Sequence, residues 1–360
     1  VTGAVVTAGL GGAAAAALAV TLAGARAEPR RTLVAVSMLG AAGGLALALS
    51  SHIVPILAAA FLGMVNGMGR DRGAALIIDT ALLPATAGDH ERTAAFARYN
   101  VCMDAGHAIG GLLAGLPALA RRWGGWDELT SLRAAVFVYA AIVLATALVY
   151  SRLSPIERAP VGPRLRVSPE SKRILWRISS LFGLDALAGG FLTSALVSFF
   201  LYERFGVSEA AVGVLFFGAR AANAGSHLAA AWLAKRIGLV QTMVFTHVPS
   251  SLLLVTVAIA PTFPVAAVLF LLREGLVEMD VPTRQSYLMA VVRPEERTFA
   301  SGVTHLVRLA AWAVAPAFAG LLMRGSSLAA PLIVGAAMKI AYDVLLYLAF
   351  RRQRPPEERG

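Results

Sequence analysis

Residues 131–151 read SLRAAVFVYAAIVLATALVYS, an apolar run whose one charge, Arg133, stands near its start. A helix needs roughly 20 such residues to cross a bilayer. Similar stretches recur at nearly regular spacing along the whole chain. The expected spans are 2–24, 32–51, 54–78, 93–119, 131–151, 175–202, 208–234, 238–260, 262–290, 297–323 and 328–350, eleven in all. Hydrophobic residues make up 58% of the sequence and charged residues only 15%. A soluble core does not require that much apolar sequence. The pattern predicts an all-α polytopic membrane protein, whose function rests on the few polar groups held inside the bilayer.

The basic residues sort by loop. One set of loops holds Arg26, Arg30, Arg31, Arg92, Lys235, Arg236, Arg293 and Arg297, together with segment 152–174 and the tail after Phe350. The opposite loops hold Arg121, Arg122, Arg204 and Arg324. The first set faces the cytoplasm by the positive-inside rule, and the C-terminus with it. That bias accounts for the net charge of +11 without a nucleic-acid partner. The expected setting is the inner or plasma membrane of a bacterial cell, with the lipid bilayer as partner. The lone Cys102 lies within a span and offers no disulfide framework.

The two halves repeat. Glu91-Arg92-Thr93 matches Glu296-Arg297-Thr298, and Asn66-Gly67 matches Glu274-Gly275. Leu22-Ala23 before Arg26 matches Leu233-Ala234 before Arg236. The span 175–202 finds no counterpart in the first half, and the sequence starts with Val1. We therefore expect a whole protein of two pseudo-symmetric six-helix bundles, of which this chain carries 11 of 12 transmembrane helices. The expected parts are an N-terminal bundle at 1–151, a polar Pro-containing cytoplasmic linker at 152–174, a C-terminal bundle at 175–350 and a cytoplasmic tail at 351–360.

This organisation resembles the major facilitator superfamily. The run Met279-Asp280-Val281-Pro282-Thr283-Arg284-Gln285-Ser286-Tyr287, followed by Pro294-Glu295-Glu296-Arg297-Thr298, is similar to the tenth helix and following loop of many bacterial members. Leu184-Asp185-Ala186-Leu187-Ala188-Gly189-Gly190 and Lys339-Ile340-Ala341-Tyr342-Asp343 resemble a subgroup of unassigned substrate. The chain departs from the family pattern in places. Leu22-Ala23-Gly24-Ala25-Arg26 lacks the usual acid, and Gly63 stands near where a fourth-helix Arg is expected. Gly106-His107-Ala108-Ile109-Gly110-Gly111 carries His where exporters carry Pro.

An ion in hydrocarbon costs roughly 2.5–3.5 kcal/mol on insertion scales, so such residues face a cavity or a partner. By the repeat, Arg70 and Arg72 match Glu278 and Asp280. The resemblance places those helices across a central cavity, which pairs Arg70 with Glu278, beside Asp71, Asn66 and Glu274. Either a fixed gate or a transport element answers to that pair. Asp280 and Arg284 are one turn apart, the spacing of an intrahelical ion pair, with Pro282 between them to permit a bend. Asp104 and His107 share a helix face and are a candidate proton site or a packed polar contact. Arg308 and Trp312 are spaced for a cation–π shelf or, equally, for interhelical packing, with His305 nearby. Asp185 stands alone as a candidate proton or cation site. Lys339 and Asp343 read as a structural ion pair within the last helix. Arg220, Asn223 and His227 form a further polar stripe.

There is no Walker A motif for direct ATP drive. Gly67-Met68-Gly69-Arg70-Asp71-Arg72-Gly73 misses the dinucleotide spacing, and His90-Glu91 belongs to no zinc motif. No enzyme, cofactor or metal site is expected. The resemblance implies a monomeric secondary transporter of a small solute, proton-coupled, working by alternating access, with a lean toward efflux of amphiphilic compounds. An organic anion is the alternative substrate, given Arg70, Arg72, Arg284 and Arg308. A receptor or assembly partner that keeps the fold without transport is the alternative of another class.

Overall fold

The computed structural model describes residues 2–26, 28–65, 73–154 and 167–351. The regular elements among them are all helical. In chain order they are α1 (Thr2–Ala23), α2 (Pro29–Leu49), α3 (Ile53–Gly63), α4 (Ala74–Leu82), α5 (Arg92–Leu113), α6 (Leu116–Gly124), α7 (Glu128–Ser151) and α8 (Pro169–Gly190). There follow α9 (Ser194–Phe205), α10 (Glu209–Ile237), α11 (Leu239–Ala258), α12 (Phe263–Val277), α13 (Asp280–Val291), α14 (Arg297–Gly325) and α15 (Ala330–Phe350).

Each expected span has helix at its place, but four are divided. Span 54–78 becomes α3 and α4, with 66–72 outside the described residues. Span 93–119 becomes α5 and α6, span 175–202 becomes α8 and α9, and span 262–290 becomes α12 and α13. Two of these breaks follow from proline. Pro117 has no N–H for the carbonyl of Leu113, where α5 ends. Pro282 has none for the carbonyl of Glu278, which accepts from the Val281 N–H at 3.2 Å instead, just where α12 gives way to α13. The Thr283 hydroxyl donates to the carbonyls of Met279 and Asp280 at 3.0 and 2.9 Å and covers the interruption. Between α8 and α9 the Thr193 hydroxyl accepts from the Leu196 N–H at 3.4 Å, an N-cap that restarts the helix.

Among the described residues, six stretches are long and apolar enough to cross a membrane by themselves, lying in α1, α2, α7, α11, α14 and α15. Leu22, Val54, Leu148, Val149, Val214 and Leu321 are all largely exposed. Such a surface suits hydrocarbon and not water.

The chain divides into two compact units. The first comprises Val1–Leu82, Gly106–Arg166 and Pro294–Gly302. Here α2 packs on α7 and α3, and α1 on α3 and α4. Small residues set those approaches: a Cβ on Gly43 would overlap the Gly63 Cα, so α2 and α3 meet backbone to backbone. The Tyr150 hydroxyl donates to Asp79 at 3.1 Å and ties α7 to α4.

The second unit comprises Leu83–Ala105, Val167–Arg293 and Val303–Gly360. In it α11 packs on α12, α13 and α15, while α8 packs on α15 and α13. Phe200, Leu201, Leu254, Val257, Ala266, Leu332 and Ala336 form its apolar core. The same helices carry a dense set of buried charges.

Candidate functional site: a buried charge cluster

Helix α8 places Asp185 in the interior of the second unit, 5% exposed. The sequence suggests an isolated acid, but two cations meet it directly. Lys339 of α15 donates to Oδ1 at 2.8 Å, and Arg284 of α13 donates to Oδ2 at 2.8 Å. Arg308 of α14 stands 3.9 Å from Oδ2. Arg284 also donates to Asp280 at 2.8 Å, the one-turn pair that the spacing of α13 allows. Its guanidinium lies over the Phe182 ring at 5.2 Å, so an aromatic face of α8 supports the same cation.

Lys339 and Asp343 are not joined to each other as their spacing suggests. His247 of α11 stands between them. Its Nδ1 is 2.9 Å from Asp343 Oδ1, and its Nε2 is 3.2 Å from the Lys339 Nζ. The longer-range partners prevail because both side chains are enclosed, with Asp343 at 0% exposure, and each must find a partner in the interior. An ammonium can only donate, so Nε2 accepts from Lys339 and Nδ1 carries the proton given to Asp343. The geometry thus fixes the neutral tautomer of His247. Local backbone supports the position. Thr242 and Thr246 hydroxyls donate back to the carbonyls of Gly238 and Thr242 at 2.7 and 2.8 Å, which satisfies them within α11.

Three carboxylates (Asp185, Asp280, Asp343) therefore adjoin three fixed cations (Arg284, Arg308, Lys339), with His247 bridging. The set is neutral while His247 is neutral. Removing one member of such a buried set leaves an uncompensated charge. Arg308 is its most exposed cation, at 21% of the side chain, against 7% for Arg284 and 9% for Lys339. Arg308 lies over the half-buried Trp312 at 5.1 Å. That shelf is a cation stacked on an aromatic ring.

A second polar group forms around α10 in the same unit. Asn223 donates to Glu274 at 3.1 Å, and Arg273 also pairs with Glu274. His227 meets Asp104 at 3.0 Å with both side chains buried. Asp104 thus pairs with His227 across helices, and His107 is exposed. Asn100, on the same face of α5, donates to Gln285 at 2.7 Å. Glu278 is half-buried at the end of α12. Asn66, Arg70, Asp71 and Arg72 lie outside the described residues, and so does the expected Arg70–Glu278 pair.

Sequence reasoning missed His247, Asn100, Gln285 and Tyr342. One signal existed for the first: Thr246-His247-Val248-Pro249 puts a titratable ring and a proline inside an otherwise apolar span. Nothing in the sequence of that helix names its partners, which come from α15.

Comparison with known proteins bears on the fold. A family model described as Major Facilitator Superfamily matches residues 1–272 and again 178–360. An uncharacterised membrane protein of Saccharomyces cerevisiae, YJR124C, is 24% identical over 356 residues, covering 89% of this chain and 80% of that protein. The crystal structure of the human organic anion transporter MFSD10 (TETRAN) superposes with a TM-score of 0.76 at 18% identity, covering 96% of this chain and 83% of that one. A variant of the E. coli fucose:proton symporter FucP gives a TM-score of 0.75 at 14% identity, over 98% of this chain and 90% of that one. At such identities the structural likenesses speak for the fold alone.

Proposed function

Because the chain belongs to the Major Facilitator Superfamily, and is a multi-pass membrane transporter of that family, we propose that it is a proton-coupled secondary transporter of an amphiphilic organic anion. The observation that carries this reading is the Arg308–Trp312 shelf at the more exposed edge of a charge-balanced cluster. A carboxylate-bearing solute can use guanidinium donors that Asp185 leaves unused at 3.9 Å, while its apolar body lies on the indole. A lipophilic cation finds no equivalent there, since the acids of the cluster are already engaged by Arg284, Lys339 and His247.

Alternating access supplies the cycle, with residues 1–151 and 175–350 as the proposed moving halves. The break between α12 and α13 at Glu278 and Met279 offers a bending point next to Asp280 and Arg284. Embedded titratable groups supply the coupling to protons. The amphiphilic character expected from the sequence is kept, and the charge is specified. Arg70, Glu278 and Asp104 remain proposed pathway groups, and the C-terminus is proposed to be cytoplasmic.

Uptake and release by proteoliposomes, with an internal pH dye, test the reading. A panel of aromatic carboxylates should move protons and solute together, whereas lipophilic cations should not. Movement of the cations alone would overturn the substrate class. A folded, oriented protein that binds carboxylates but moves none would favour a receptor.

A further inference from the structure

Asp185 is the acid that the sequence nominates for the proton, and its surroundings argue against that role. Two cations touch it at 2.8 Å and a third stands at 3.9 Å. A proton on this carboxylate would leave cations enclosed without their counter-charge. His247 is the group placed to take a proton while every carboxylate of the cluster keeps its charge. Its Nε2 lone pair accepts from a single donor, Lys339 at 3.2 Å, and Lys339 has a second partner to retreat to, Asp185 Oδ1 at 2.8 Å.

We propose that His247 is the proton-binding residue of the transport cycle, and that its protonation is what admits the anion at Arg308. The proposal rests on the substrate reading above for its second half only. The proton lands on Nε2. The resulting imidazolium keeps its Nδ1–H bond to Asp343, now charge-assisted, and repels the Lys339 ammonium. Lys339 then depends on Asp185 alone. The more firmly Lys339 and Arg284 hold Asp185, the less of its charge remains for Arg308, already its most distant cation. The cluster passes from neutral to one net positive charge, and an anion on the Arg308–Trp312 shelf restores neutrality. Proton and anion thus favour each other's binding, and linkage makes that preference reciprocal.

The groups around His247 support this assignment. From α15 come Lys339, Asp343 and Tyr342, whose ring meets the imidazole edge-on at 6.0 Å. From α8 comes Asp185, reached through Lys339, and from α13 Asp280 and Arg284, reached through Asp185. Of the ionisable groups on α12 and α10, Glu274 is engaged by Arg273 and Asn223, and His227 by Asp104. His227 is therefore the competing proton site, buried against a carboxylate in a separate network.

Histidine-selective 15N NMR of the full chain in lipid nanodiscs decides the first half without any substrate. The signal lost in His247→Gln identifies the ring. It should show the Nδ1–H neutral tautomer at high pH and become imidazolium on acidification. An Nε2–H tautomer, or a ring that stays neutral while the protein remains folded, overturns the proposal. The second half uses 2-naphthoate as probe. In the wild type its binding should take up one proton, and its Kd should rise about tenfold per pH unit above the His247 titration. In His247→Gln, whose side chain can still accept from Lys339 and donate to Asp343, proton uptake should vanish and the Kd should become independent of pH. In His227→Gln the proton uptake should persist. Uptake retained in His247→Gln and lost in His227→Gln would move the proton site to α10 and overturn the proposal. If His247 titrates as described while 2-naphthoate and other carboxylates fail to bind, the substrate reading fails and the proton assignment stands.

Discussion

Asp185 and Lys339 lie 154 residues apart in sequence and meet at 2.8 Å, carboxylate oxygen to ammonium, inside the second unit. The pair joins α8 to α15 and anchors the charge cluster. Asp185→Asn should destabilise the protein by about 3–5 kcal/mol, because Lys339 would stay enclosed without the carboxylate it meets and Arg284 would keep only Asp280. Asp185→Asn combined with Lys339→Met should recover part of that loss, since both members of the pair are then removed. Thermal unfolding in detergent, followed for the two single variants and the double, measures the coupling. Strict additivity would show that the pair contributes nothing as a pair.

The proline break makes a separate prediction. Pro282→Ala restores an N–H opposite the Glu278 carbonyl and lets α12 run into α13. Stability should rise by about 1–3 kcal/mol if the helix closes. Transport should slow at the same time, because the bending point is lost. Amide exchange at residues 278–282 should become more protected. A faster transporter with unchanged exchange would show that the break serves no motion.

Helix α2 gives a packing test with its own control. Gly43→Ala places a methyl where the Gly63 backbone already stands, and Gly43→Leu aggravates the overlap. A loss of about 1–3 kcal/mol is expected for the alanine variant and more for leucine. Gly110→Ala should cause no loss, because nothing beyond the adjoining backbone of its own helix lies within 4 Å of the added methyl. Equal losses at both positions would contradict the backbone-to-backbone contact of α2 and α3.

Much of the fold was legible because a bilayer imposes its thickness on the sequence. The apolar runs locate the helices, and Pro117 and Pro282 mark two places where a run divides. Within one helix, spacing read the Asp280–Arg284 pair and the Arg308–Trp312 stack, both four residues apart. The same rule misled at Lys339 and Asp343. Their spacing permits a pair, yet Asp185 and His247 from other helices take both charges. At Asp104 it gave no sign of the contact with His227 of α10. Local period reports which residues share a face. It carries no information on which faces of distant helices come together, and in this interior those contacts decide where each charge goes.

The shelf predicts a graded effect on solute recognition. Trp312→Phe keeps an aromatic face under Arg308 and should weaken carboxylate binding only modestly. Trp312→Ala removes the stacking surface and should weaken it about fivefold or more, in line with roughly 1 kcal/mol for a cation–π contact. Arg308→Lys keeps the charge and loses the planar fork, so it should fall between the wild type and Arg308→Ala. Equilibrium binding of aromatic carboxylates to the purified variants gives the order. An unchanged affinity in Arg308→Ala would place the anion elsewhere.

The most direct measurement of proton–anion coupling at Arg308 is proton movement driven by an aromatic carboxylate gradient across proteoliposomes, recorded for the wild type and for Arg308→Ala. Protons should move in the same direction as the carboxylate in the wild type, and neither flux should survive in the variant. Carboxylate flux without protons, or proton flux driven only by lipophilic cations, would contradict that coupling.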